Sequence, residues 1–168
     1  MSTSPRSELR LHFAKDAHKF SAAHMTLFPD GSKERLHGHN YQVETTVEVA
    51  GSEGEAFLSF AELKQGIRGV CEELDERVLL PRRGRGLRIV RHDAEELEIV
   101  ACGKRYVFPS DEVVLLDYDN VVTETLAEHV AARLATVWAV LAQRGLVRSI
   151  EVTVRETLGQ GASVKRAL

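Results

Sequence analysis

The chain has 168 residues, with 22 basic and 25 acidic side chains and a net charge of −3 when histidine is neutral. That length suits one domain, and the slightly acidic balance argues against a general binder of nucleic acid or of anionic membranes. The longest weakly polar run, LATVWAVLA, is too short to span a bilayer. The N-terminal MSTSPRSELR lacks the apolar stretch of a secretory leader, which leads us to expect a cytoplasmic protein.

From the N-terminus, ELRLHFAKDAHKFSAAH carries Leu9, Leu11 and Phe13 at period two and reads as the first strand of an antiparallel pair. The turn-rich LFPDGSKE separates it from HGHNYQVETTVEVAG. In that second strand His37, His39, Tyr41, Val43, Thr45, Val47 and Val49 share one face, and Gln42, Glu44, Thr46 and Glu48 lie on the other. SFAE, Ser59 to Glu62, is a capping box. Phe60, Leu63, Ile67, Val70, Cys71, Leu74 and Val78 then form one helical stripe that Pro81 ends. Cys71 on that stripe reads as a small buried hydrophobe. Neither it nor Cys102 has the spacing of a thiolate zinc site or a disulfide framework.

Short β-rich runs separated by polar turns around Asp93 and Gly103 follow, and the stretch at about 82–112 reads as a hairpin excursion from a single domain over 1–168. Its RRGRG reads as a solvated loop rather than a phosphate site. A second helix starts near Thr123, with Thr125 and Glu128 as a further capping box and Gly145 as its C-cap. The strand SIEVTVRET closes the pattern. Two strands, helix, excursion, helix and strand describe an α+β domain with two helices on one face of an antiparallel sheet.

Period two places His37 and His39 side by side, a suitable pair for a tetrahedral metal, and His24 at the end of the neighbouring strand is the natural third ligand. Three imidazoles would leave an open coordination position, the mark of a catalytic site. Spacing alone leaves a second reading open, hydrogen-bonded histidines at a strand end. His12, His18, His92 and His129 read as surface or capping groups.

FSAAH followed by LHGHNY resembles the signature of the 6-pyruvoyl-tetrahydropterin synthase and 6-carboxytetrahydropterin synthase family. FAELKQGIRGVCEELDE, VTETLAEHV and VTVRET extend the resemblance over nearly the whole chain. It implies the tunnelling fold, in which subunits close into a β-barrel, with a homo-oligomer that is usually a hexamer of two trimers. Active sites then lie between subunits, and Gln42, Glu44, Thr46 and Glu48 would line the tunnel. It also implies Zn2+ on His24, His37 and His39, and a small-molecule pterin held by Thr123, Glu124 and Glu156.

Most members place a cysteine base a few residues before LHGH and an aspartate–histidine pair in LDH. Here Lys33 and Glu34 occupy the first segment, and the second reads Leu74–Asp75–Glu76. A branch often called type III is similar in carrying glutamate in place of that cysteine. The resemblance then implies catalytic Glu34, Asp75 and Glu76 and a lyase converting 7,8-dihydroneopterin triphosphate to 6-hydroxymethyl-7,8-dihydropterin, a folate precursor. The 6-pyruvoyl or 6-carboxy synthase reaction and a non-catalytic pterin-binding homologue stand as alternatives, the latter because Glu76 cannot form the family's Asp–His relay.

Overall fold

A computed structural model describes residues 9–49 and 58–168. The first eight residues, read above for a leader, lie outside them. The long first strand divides into β1 (Leu9–Phe13) and β2 (Lys19–His24), because the chain turns where the amide of His18 donates to the carbonyl of Lys15. His18, expected at the surface, is instead buried at that turn. β3 (His37–Val49) runs antiparallel to both, with His24 opposite His37 and Leu11 opposite Val47. Its alternation is borne out: Tyr41, Val43, Thr45, Val47 and Val49 are buried, and Gln42, Glu44, Thr46 and Glu48 are only partly covered. A one-residue slip would turn every apolar side chain of β3 to the polar face, so burial of one face sets the register.

Helix α1 spans Phe60–Leu74. The amide of Glu62 donates to Ser59 Oγ at 3.3 Å, one half of the expected capping box. Leu63, Ile67, Val70, Cys71 and Leu74 are buried as the stripe predicts, and burial pushes the Cys71 thiol up to about 12. Val78 is not part of the helix. Asp75 caps it, Glu76 takes a left-handed φ of 55°, and Val78 enters β4 (Arg77–Pro81).

β4 lies parallel to β2 and to β8 (Val113–Leu116), so the sheet carries a parallel margin that alternation could not show. Between them β5 (Leu87–His92), β6 (Glu96–Ala101) and β7 (Lys104–Pro109) form a separate three-stranded antiparallel sheet. Cys102 and Gly103, both with positive φ, make the two-residue turn from β6 to β7. Leu97, Ile99 and Ala101 of β6 pack with Met25, Leu27 and Leu80, which fastens this small sheet to the loop that follows β2.

Helix α2 spans Thr123–Val137, and a short α3 spans Ala139–Gln143. Thr125 is not the N-cap. It sits one turn in, its Oγ1 accepts the amide of Val122, and Glu128 turns to Arg166. After α3, Gly145 (φ 68°) and Leu146 donate to Ala142 and Leu141, a Schellman closure. β9 (Val147–Thr157) and β10 (Gln160–Ala167) complete a sheet ordered β10-β9-β3-β2-β4-β8, with β1 also paired to β3. α1 packs on β2 and α2 on β9 and β10, closing the core over the apolar face of β3.

Candidate metal centre and active site

The apolar face of the sheet ends in histidine. His37 and His39 continue the row that holds Tyr41 and Val43, and His24 at the end of β2 stands opposite His37 in the β2–β3 pairing. The ring centroids of His24 and His37 lie 4.7 Å apart, and those of His37 and His39 lie 4.8 Å apart. Glu156 of β9 completes the group: one ligand atom from each of the four residues falls within 4.8 Å of the others.

The imidazoles are held in a form suited to a metal. His24 Nδ1 lies 2.9 Å from the carbonyl of Val121, and His37 Nδ1 lies 2.8 Å from that of Arg35. A carbonyl only accepts, so each Nδ1 carries the proton and each Nε2 keeps its lone pair. The Nε2 atoms of His24 and His39 are buried without a hydrogen-bond partner. His39 Nε2 lies 2.5 Å from Glu156 Oε1 without hydrogen-bond alignment. Two atoms aimed at a shared point rather than at each other give that pattern. Burial pushes His24 below the usual imidazole range; its Val121 bond opposes this, and His37 and His39 add to it. The neutral ring is the ligating one. Three nitrogens and a carboxylate oxygen fit a borderline cation of the zinc type.

Glu34 stands on the loop between β2 and β3. Its carboxylate accepts the amide of Thr26 at 3.3 Å, and its own amide donates to the Thr26 carbonyl. The Thr26 bond, with His37 and His24 nearby, holds the Glu34 carboxyl below the usual range despite partial burial, so at neutral pH it is ionised and able to accept a proton. Thr123 and Glu124 open α2, just beyond the carbonyl that holds His24, and the Thr123 hydroxyl donates to Glu124 at 3.2 Å. Asp75 and Glu76 are not part of the group formed by His24, His37, His39 and Glu156. Asp75 accepts the amide of Ser21 at 2.7 Å. Glu76 lines a cavity of about 350 Å³ together with His39, and Ser21, Gly38, Asn40 and Arg77 complete its polar wall.

A family model described as 6-pyruvoyl tetrahydropterin synthase matches residues 14–167. The chain belongs to the 6-pyruvoyl tetrahydropterin synthase family. A Methanocaldococcus jannaschii protein provisionally named 6-carboxy-5,6,7,8-tetrahydropterin synthase is 29% identical over 153 residues, covering 89% of this chain and 91% of that one. The crystal structure of Plasmodium vivax 6-pyruvoyl tetrahydropterin synthase superposes with a TM-score of 0.86 at 27% identity, over 96% of this chain and 99% of that one. The Plasmodium falciparum protein gives 0.85 at 25% identity, with the same coverage. Variants of the P. vivax protein with alanine or cysteine in place of a glutamate described as its catalytic residue superpose equally well. The tunnelling fold of the 6-pyruvoyl tetrahydropterin synthase family is therefore the fold of this chain.

Two features of this family member escaped the sequence reading. The Glu156 carboxylate, for which the resemblance implies a pterin contact, also lies in the histidine group. Tyr41 stacks on Phe20 and meets His39 edge-on, with its hydroxyl buried and unpartnered. Burial pushes that phenol up, and the carboxylates of Glu156 and Glu34 add to the effect. Period two already placed Tyr41 beside the histidines, so its position was legible although its surroundings were not.

Proposed function

We propose that this protein is a zinc-dependent pterin side-chain lyase that converts 7,8-dihydroneopterin triphosphate to 6-hydroxymethyl-7,8-dihydropterin. The observation that carries the reading is Glu34: an ionised carboxylate, tied to Thr26, on the loop that leads into the histidine group. A zinc ion held by His24, His37 and His39 would polarise the substrate's side-chain hydroxyls and lower their pKa.

Glu34 accepts the proton of the second side-chain hydroxyl. The bond between the first and second side-chain carbons breaks, its electron pair passes into the electron-poor ring, and a proton returns to the first carbon. The second carbon leaves as the aldehyde of a two-carbon fragment that carries the phosphates. Thr123 and Glu124 hold the pterin edge, since a carboxylate accepts two parallel N–H donors. Glu156 either joins them or stays on the metal. Asp75 and Glu76, the latter sharing a cavity with His39, serve as further catalytic groups, and the active sites lie between subunits of a homo-oligomer, a hexamer of two trimers.

Incubation of purified protein with dihydroneopterin triphosphate, with products identified by mass spectrometry, tests the reading. The hydroxymethyl product supports it. A 6-pyruvoyl or 6-carboxy product replaces it with the synthase reaction, and pterin binding without turnover makes the protein a non-catalytic homologue. Glu34→Ala is expected to abolish turnover with zinc retained. Full zinc occupancy in His37→Ala would refute the ligand set. Sedimentation velocity tests the hexamer.

A further inference from the structure

A second pocket counts Glu34 among its lining residues. It encloses about 510 Å³ between the loop after β2 and the small β5–β7 sheet, and four of its nine lining residues are cationic: Lys33, Arg35, Lys104 and Arg105. Glu34 is its one acid. In a chain that carries more acidic than basic groups, this is a local reversal of sign.

The cations are poorly neutralised. Lys33 Nζ donates to the backbone carbonyl of Glu34 at 2.9 Å and lies 5.0 Å from the ring centre of Tyr106, contacts that leave its charge unpaired. Arg35 and Lys104 have no carboxylate partner among the described residues. Arg105 uses Nε on Glu98 at 2.7 Å, and a guanidinium has further donors to offer. Like charges gathered in one concavity repel unless an anion joins them. The walls are also held in place. Leu27 bridges to Lys33, Cys102 Sγ lies 3.6 Å from the Ser32 carbonyl, and the β6 apolar cluster grips Met25 and Leu27. A held, cationic concavity with donors from two elements suits an anion of several phosphates.

We propose that this pocket is a polyphosphate subsite, and that it holds the phosphate arm of the substrate, and then of the leaving two-carbon aldehyde, while the reacting carbons lie between Glu34 and the histidines. The assignment to substrate rests on the lyase reading, whereas the affinity for polyphosphate does not. Calorimetric titration of the intact protein with inorganic tripolyphosphate tests it, comparing wild type with Arg35→Gln/Lys104→Gln and with Arg68→Gln on α1 as a remote charge control. Each lost charged contact should weaken binding about tenfold, so the double variant falls about a hundredfold and the control stays at wild type. Equal affinity in the double variant overturns the proposal, because binding through a metal at the histidines would survive those substitutions. Absence of binding to the wild type overturns it as well. Tripolyphosphate binding lost in the double variant, with no turnover of the pterin triphosphate, keeps the subsite and removes the lyase reading. Turnover with an unchanged KM in the double variant does the reverse.

Discussion

Two glycines on one helix make a sharp test of how α1 meets α2. A Cβ added at Gly66 would lie 2.5 Å from Trp138 Nε1 and 3.2 Å from both Trp138 Cε2 and Val137 Cγ1, whereas one added at Gly69 meets nothing within 4 Å. Replacing a helical glycine by alanine gains about 1 kcal/mol from the backbone alone. At Gly69 nothing opposes that gain, so Gly69→Ala should stabilise by about 0.5–1 kcal/mol. At Gly66 the neighbour is the indole of a fully buried tryptophan, which would have to retreat by close to an ångström to reach ordinary contact. Overpacking of that kind costs about 1–3 kcal/mol, so the clash outweighs the propensity gain. Gly66→Ala should therefore destabilise by about 1 kcal/mol.

The same substitution three residues apart thus changes sign, with midpoints separated by about 4–8 °C. Thermal unfolding at one protein concentration, followed by fluorescence, reads it directly, since Trp138 is the chain's sole tryptophan; holding the concentration fixed keeps any assembly contribution comparable. Gly66→Ala stabilising as much as Gly69→Ala, with unaltered emission, would refute this packing of α1 on Trp138.

Asn120→Ala should cost about 2 kcal/mol by denaturant titration, because the Asn120 amide exchanges two bonds with the backbone of Leu27, at 3.0 and 2.9 Å, and supports the strap beside His24. Glu156→Gln should weaken metal binding about tenfold in chelator competition if its carboxylate is a ligand; unchanged affinity would return Glu156 to the pterin anchors. Asp93, in the β5–β6 turn, is held down to about 2 by the amides of Glu96 and Glu95 and by Arg91. A depressed carboxyl stabilises the fold above its unfolded value near 3.9 and loses that contribution as pH falls through 2. Amide exchange in β5–β7 should be faster in Asp93→Asn than in wild type at neutral pH, with the difference shrinking below about pH 4 and mostly lost by pH 2; a difference at pH 2 as large as at neutral pH would contradict this.

Local pattern carried the parts of the fold whose cause is local. Alternation along β3 placed His37 and His39 on the buried face beside Tyr41, and the stripe from Leu63 to Leu74 gave α1 its inner side. Pairing across distance was not legible. Twelve residues separate His24 from His37, so no short turn set the register that puts them opposite each other, and the resemblance supplied what spacing left open. Glu156 reaches the histidines because Arg155, its neighbour on β9, pairs with Gln42 of β3. That contact spans more than a hundred residues and leaves no trace in either segment. Thr125 failed as an N-cap for a smaller reason: it lies inside the helix, whose start is set by the extended backbone of Val122.

The division of labour between strand and loop bears on how one fold could carry more than one pterin reaction. His24, His37, His39 and Glu156 all stand on paired strands of the main sheet, where register controls their positions. Glu34 stands on a loop, and its place depends on neighbours drawn from elsewhere in the chain. Thr26 fixes the carboxylate, Asn120 fixes Leu27, and the small sheet inserted between β4 and β8 packs against Met25 and Leu27. A change of side chain at this point can therefore proceed without disturbing the histidines, provided the loop's supports change with it. A cysteine, shorter by a carbon and two oxygens and unable to accept the Thr26 amide as a carboxylate does, would not reach the same place on this loop. The side chain at position 34 and the path of the loop thus form one physical unit, and the inserted sheet belongs to that unit because it braces the loop.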